Sequence, residues 1–163
     1  MTMKTWKDLK LKYPRLLRPG FLFECHEGWI GILDDYLAVI DSEMPQDAVY
    51  ELRQVKEKLG TLRIYDSSYG ETLSSVKAVT DAHALAEARS YYTCERCGKR
   101  GVWSNRRGYL TTVCEDHAVR DGCRAEPMED GDYSYEYRET NGIWRRYDPD
   151  LDAFVEVEAP DWS

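Results

Sequence analysis

No stretch of this 163-residue chain contains an apolar run near the roughly 18 residues of a bilayer-spanning helix, so no transmembrane helix is expected. The opening Met1-Thr-Met-Lys-Thr-Trp-Lys-Asp-Leu-Lys has no apolar h-region, and the expectation is a cytoplasmic protein without a secretory leader. Histidine is scarce, with three residues. No His-Glu-x-x-His pair, no Ser/His/Asp order and no phosphate-cradling glycine loop occurs. The chain is therefore expected not to be an enzyme; Glu24, His26 and Glu27 are the cluster that a catalytic reading would have to use. Internal repeats and low-complexity tracts are missing too, which excludes a solenoid. Cysteine is present five times, an odd number that argues against a disulfide framework and for a reducing compartment.

What the chain does contain begins with an apolar fraction of 42% and an aromatic fraction of 12%, enough for a packed core. The net charge of −8 is unevenly spread. Residues 1–114 hold 17 Lys/Arg against 15 Asp/Glu, whereas residues 115–163 hold 5 against 15. An acidic end of this size repels nucleic-acid phosphates and favours basic protein surfaces.

The most specific pattern is Cys94-Glu-Arg-Cys97, sixteen intervening residues, then Cys114-Glu-Asp-His117. Zinc takes four soft or borderline ligands in a tetrahedron, and two x2 knuckles at about this separation supply them. Structural Zn2+ on Cys94, Cys97, Cys114 and His117 is expected, with Cys123 as an alternative to His117. Four protein ligands leave no open position for water or substrate, which points to stability rather than catalysis. A redox Cys-x-x-Cys reading of Cys94 and Cys97 lacks the surrounding βαβ pattern. Cys25 reads as a small buried apolar residue.

The expected fold class is α+β: helices and a β-hairpin around a treble-clef or ribbon-like zinc site, with a C-terminal antiparallel β-meander. Thr5 is placed to cap a short basic helix over residues 4–12. Trp29, Ile30, Leu33, Tyr36, Leu37 and Ile40 recur at three and four residues, which predicts a helix ending at Pro45. Residues 49–58 and 61–65 alternate about Leu59-Gly60 as a hairpin. Residues 71–92 predict the longest helix, with Leu73, Val76, Val79, His83, Ala86 and Ser90 along one stripe and His83 a half-buried helix residue. Inside the zinc loop, Val102-Trp103 and Tyr109 to Val113 form a second hairpin, with Lys99, Arg100, Arg106 and Arg107 beside its aromatics. Residues 126–132 read as a polar linker. Tyr133 to Thr140, Asn141-Gly142, Ile143 to Tyr147 and Ala153 to Val157 read as three strands, the first turn being type I′. Two regions follow: a zinc-stabilised core, residues 1–125, and an acidic appendage packed on it, residues 126–163.

Three segments together resemble a group of uncharacterised bacterial and phage zinc-knuckle proteins: Glu24-Cys-His-Glu-Gly-Trp29, Gln54-Val-Lys-Glu-Lys-Leu-Gly-Thr-Leu-Arg-Ile-Tyr65, and Cys94-Glu-Arg-Cys-Gly98 with Cys114-Glu-Asp-His117. The resemblance covers residues 20–120. It implies a phage or prophage origin and zinc on the four knuckle residues, and it implies no activity. The chain departs from the group at His26, where the pattern has glycine, which argues against a ligand role there.

The functional expectation is a non-enzymatic protein that binds, and inhibits or modulates, a host protein with a basic surface. Countering a bacterial defence, with the acidic face imitating nucleic acid, is one form this could take. Tyr135, Tyr137, Trp144 and Tyr147, with Glu136, Glu139 and Asp150, are the expected partner surface, since aromatics anchor interfaces. The alternative is a nucleic-acid-binding protein using the basic zinc loop and N-terminus.

Overall fold

The fold is built outward from a helix-covered hairpin in the first half of the chain. The computed structural model describes residues 5–129 and 137–161. Helix α1, Trp6–Lys12, opens with a capping box: Thr5 Oγ1 accepts from the Asp8 amide and Asp8 accepts from the Thr5 amide. Its Trp6 ring stacks at 4.2 Å on Phe23 of the short strand β1, Phe23–Glu24. A single 3-10 turn, Glu27–Trp29, leads into α2, Ile30–Glu43, which ends at Met44 just before Pro45. All six residues of the recurrent apolar stripe, Trp29 to Ile40, are buried.

Strands β2, Val49–Lys58, and β3, Thr61–Tyr69, pair antiparallel, with β1 parallel at the edge of β2. The hairpin continues four residues past Tyr65 because a bulge between Leu52 and Gln54 restores the alternation. Its turn places both Leu59 and Gly60 at positive φ, the geometry that lets two strands twist together. Helix α3, Leu73–Ser90, then crosses the sheet beside α2. Here the expected stripe needs correction. Leu73 is 92% exposed, and the buried residues are small: Ser75, Ala82, Ala86, Ala88 and Ser90. Small side chains let α2 and α3 approach closely, so the large apolar residues of α2 fill the shared layer.

The second half carries smaller sheets. Strands β4, Val102–Arg106, and β5, Tyr109–Val113, form the hairpin between the two cysteine-containing knuckles. Strands β6, Val119–Arg120, and β7, Cys123–Arg124, make a two-stranded ribbon. Residues Glu126–Pro127 are strand β8 on the free edge of β4, and Met128 N donates to Trp103 O. The start of the expected linker is thus a strand. Pro127 fits there because an edge strand need not donate outward.

Strands β9, Tyr137–Thr140, β10, Ile143–Asp148, and β11, Ala153–Val157, form an antiparallel sheet in the order β9-β10-β11. Asn141 and Gly142 both have positive φ at the β9–β10 turn. Residues directly opposite share a face, and faces alternate along a strand. One face therefore carries Ile143, Arg145, Tyr147, Phe154 and Arg138; the other carries Tyr137, Glu139, Trp144, Arg146, Val155 and Val157. The first face lies against α3. Tyr147 packs on Tyr92, Arg89 pairs with Asp152 through two hydrogen bonds, and Arg138 pairs with Asp81. Among the described residues no helix is long and apolar enough to cross a membrane.

Candidate metal centre and the cleft beside it

Two tight turns deliver the four sulfur and nitrogen donors. In the first knuckle Cys94 O accepts from Gly98 N at 2.9 Å and Cys94 N donates to Lys99 O at 2.8 Å. Gly98, at φ +80°, supplies the left-handed residue that such a turn requires. In the second, a 3-10 turn at Glu115–His117 folds His117 back over Cys114. The donor atoms of Cys94, Cys97, Cys114 and His117 all lie within 4.8 Å of one another. His117 presents Nδ1, 3.6 Å from Cys94 Sγ and 3.3 Å from Cys114 Sγ, and the Cys97 and Cys114 sulfurs are 3.6 Å apart. A tetrahedral ion with bonds of about 2.3 Å to sulfur and about 2.0–2.1 Å to nitrogen has edges of roughly 3.5–3.8 Å. The group fits a metal ion on this test. A disulfide does not fit, since bonded sulfurs sit at about 2.05 Å.

The fourth place belongs to His117. Cys123 lies in β7, outside the donor group, with Sγ near Arg124 O. The chemistry of the set also suits a cation. Burial and neighbouring thiols push Cys97 up to about 11. Burial also opposes the Cys114 thiolate, but bonds from His117 and the adjacent cysteines outweigh it and bring that thiol down to about 7. Three thiolates so close together need a positive charge between them.

The three segments singled out from the sequence converge on this site. Gly28 N donates to Glu95 O at 2.8 Å, and Trp29 Nε1 donates to Thr93 O at 2.9 Å. From the hairpin turn, Leu59 O accepts from Trp103 Nε1 at 2.8 Å and Gly60 O accepts from Thr112 Oγ1 at 2.7 Å. The metal loop is thereby tied to the helical core at two glycines.

Between β1, the end of β2 and the β4–β5 hairpin lies a cleft of about 450 Å³. Glu24, Cys25, His26, Tyr109, Thr111 and Val113 line it, with Arg96, Arg106, Arg120, Glu57 and Glu95. Cys25 is partly buried against the core, and burial pushes its thiol up to about 12, which makes it unreactive. Burial, helped by Arg96 and Arg120, also lowers the pKa of His26. Of the three residues that a catalytic reading would use, Glu24 and His26 reach the cleft.

The expected partner residues separate. Tyr147 is 4% exposed and donates to Asp152, so it anchors the sheet rather than presenting a surface. Tyr137, Trp144 and Glu139 lie on the opposite face, with Arg146 over the Tyr137 ring. Asp150 is exposed and pairs with Arg100. Tyr135 and Glu136 lie outside the described residues.

One polar cluster was not anticipated from the sequence. Asp66 Oδ2 on β3 receives Tyr36 Oη, Tyr50 Oη and His83 Nε2, each at 2.9 Å, tying α2, β2 and α3 to one carboxylate. The only sequence signal was His83 on a buried helix stripe. Burial works against this carboxylate's charge, but the three partners outweigh it and hold its pKa below the usual range. A depressed folded-state value contributes stability that is complete above about pH 4 and lost as pH falls through the folded value. Urea melts should show an acid-side loss of stability, and Asp66→Asn should lower stability at pH 7 by about 1–3 kcal/mol while flattening that loss. An unchanged acid-side slope in the variant would show that other carboxylates carry it.

The chain matches no protein-family model, no curated protein and no solved structure.

Proposed function

We propose that this is a zinc-stabilised, non-enzymatic binding protein whose C-terminal sheet docks on a basic surface of another protein. Zinc is the metal that best suits three thiolates and an imidazole in a tetrahedron, and with four protein ligands it has a structural role. The succession of knuckle, β4–β5 hairpin and second pair in a short helical turn supports a treble-clef or ribbon-like unit. Strands β9 to β11 are read as an acidic meander, the appendage of that unit.

The observation that carries the docking reading is the sheet's two-sidedness. One face is spent on α3, and the other places Tyr137 and Trp144 beside Glu139. Glu139 is an exposed acid of this face, and Asp150 is exposed in the β10–β11 turn, whereas Glu156, opposite Arg145, belongs to the face toward α3. Aromatics beside an acid suit a partner of opposite sign, whose approach the charge would steer. The resemblance to phage-type proteins makes a host protein the natural partner, and inhibition or counter-defence the natural effect. Mimicry of nucleic acid by the acidic face belongs to the same reading.

The test is a comparison of the parent chain with a Glu139→Lys, Asp150→Lys variant as baits in bacterial lysate, after equal zinc content is established. A protein retained by the parent at low salt, released as salt rises and not retained by the variant is the expected result. Equal retention by both baits would remove the acidic face from the reading. The alternative, nucleic-acid binding through the basic zinc loop, is supported by Arg96, Arg106, Arg120 and Tyr109 meeting around one cleft.

A further inference from the structure

We propose that Tyr36, Tyr50, Asp66 and His83 form a second metal site, built for a six-coordinate trivalent cation, ferric iron. The site draws one residue each from α2, β2, β3 and α3 and shares none with the cysteine knuckles. It is also independent of the acidic docking face.

The four donor atoms are packed more closely than their protons explain. Tyr36 Oη lies 2.9 Å from Tyr50 Oη, 2.9 Å from Asp66 Oδ2 and 2.8 Å from His83 Nε2. Tyr50 Oη and His83 Nε2 each lie 2.9 Å from the same Asp66 oxygen. These are five contacts, yet the two hydroxyls and the ring nitrogen carry at most one proton each. At least two contacts therefore have no proton of their own. The angles are as telling. Tyr36, His83 and Asp66 make a nearly equilateral triangle, so two partners meet Oδ2 only about 60° apart, closer than carboxylate lone pairs direct them. A carboxylate has two oxygens to share among its donors. All three partners crowd on Oδ2, and among the described residues none bonds Oδ1.

A cation held by the four atoms accounts for this crowding. Adjacent donors around an octahedral ion with bonds of about 2.0 Å are about 2.8 Å apart. Four octahedral donors that include one opposite pair have five such edges, and here the pair without a hydrogen bond is Tyr50 and His83. The same arithmetic rejects other ions. Tetrahedral zinc spreads its nitrogen and oxygen donors to about 3.3 Å, and calcium, with bonds of about 2.3–2.6 Å, spreads them further. Magnesium has the right size but takes carboxylates and water rather than imidazole. Charge selects the trivalent state over copper(II). Two phenolates and the Asp66 carboxylate carry three negative charges, and only a trivalent ion leaves the half-buried site neutral. Burial raises both phenols well above their ordinary range, so they ionise here only against a strongly charged cation. Binding releases their two protons, and His83 ligates through the neutral Nε2 lone pair. The Asp66 and His83 side chains are 19% and 24% exposed, which gives the ion a way in.

The experiment is titration of the zinc-loaded full chain with ferric nitrilotriacetate near neutral pH, followed by visible absorption and metal analysis. One iron per chain should bind with zinc content unchanged. A visible phenolate-to-iron charge-transfer band, absent from the ferric chelate alone, should rise with it. Tyr50→Phe keeps the ring and removes the donor. It should weaken binding at least about a hundredfold, since losing even an outer-shell partner of a metal costs about 10–100-fold. Tyr36→Phe is the second phenol variant and should behave alike. His83→Gln should weaken binding yet keep the band, because both phenolates remain; a merely unfolded site would lose both. Iron should raise the melting temperature of the parent and leave that of Tyr50→Phe where it was. Tyr65→Phe, at an exposed tyrosine outside the site, should bind as the parent does. Absence of the band with excess ferric chelate overturns the proposal. So do a band undiminished in both phenol variants, iron taken up only as zinc is lost, or magnesium or zinc displacing the iron at equal concentration.

Discussion

Replacing Cys97 with serine is expected to release the metal and unfold residues 93–128 while the helical half of the chain stays folded. The two halves differ in what holds them. The first has a large apolar core from Leu9 to Ala86, centred on α2 and the β2–β3 hairpin. Among the described residues the second has a small cluster, Cys94, Val113, Cys114 and Ala125, two of which belong to the candidate metal site. Short hairpins with so little apolar burial are marginal alone. Structural zinc in small sites contributes on the order of 10–16 kcal/mol of apparent binding energy, far more than such a cluster supplies. The parent should carry one zinc per chain by metal analysis, and Cys97→Ser should carry none. Thermal unfolding of the variant should keep the transition of the helical half and lose the other. Zinc-free parent protein from chelator-free purification, or a variant that melts as the parent does, would refute the structural role.

Gly28→Ala is expected to be the most damaging single methyl in the chain, and Gly31→Ala, three residues on, to be harmless or stabilising. A Cβ at Gly28 would fall 2.2 Å from Glu95 O and 2.3 Å from Cys94 O. Both are backbone atoms of the knuckle, so no side chain can rotate away. The 3-10 turn must move, and with it the Gly28 N to Glu95 O bond and the Trp29 Nε1 bond to Thr93 O. Overpacking of this kind costs about 3 kcal/mol or more when backbone must shift. For a chain of this size that is a fall in melting temperature of roughly 10 °C. Gly31 lies inside α2 with nothing within 4 Å of its missing Cβ. Alanine there should add about 0.5–1 kcal/mol through helix propensity and a less flexible unfolded state. Equal melting temperatures for the two variants would show that the knuckle does not rest on Gly28.

The same close approach explains why Gly28 and Gly60 stand in segments that were recognisable in the sequence. A Cβ on Gly60 would meet the Thr111 backbone and the Trp103 ring nitrogen at 2.8–2.9 Å. Each glycine is where the helical half touches the metal loop. Their place in the chain was visible beforehand, but their reason was not, because the touching backbone comes from residues some 50 to 70 positions away.

What the sequence determined by itself was everything encoded within a few neighbours. Thr5 specified the cap of α1, the three-and-four recurrence from Trp29 to Ile40 specified α2 and its buried face, and the x2 spacing specified the candidate metal donors. Asn141-Gly142 specified a turn with two positive φ values. Tertiary structure decided the rest. It gave the fourth donor position to His117 and left Cys123 in a ribbon. It turned Tyr147 onto α3 and Trp144 away from it, a choice that strand alternation leaves open until one face finds something to cover it. It gathered Tyr36, Tyr50 and His83 around Asp66. It also brought His26 and Glu95, 69 residues apart, to the cleft that Arg106 lines. Period and spacing report interactions along one element; which face is buried, and which distant polar groups meet, depends on how elements dock.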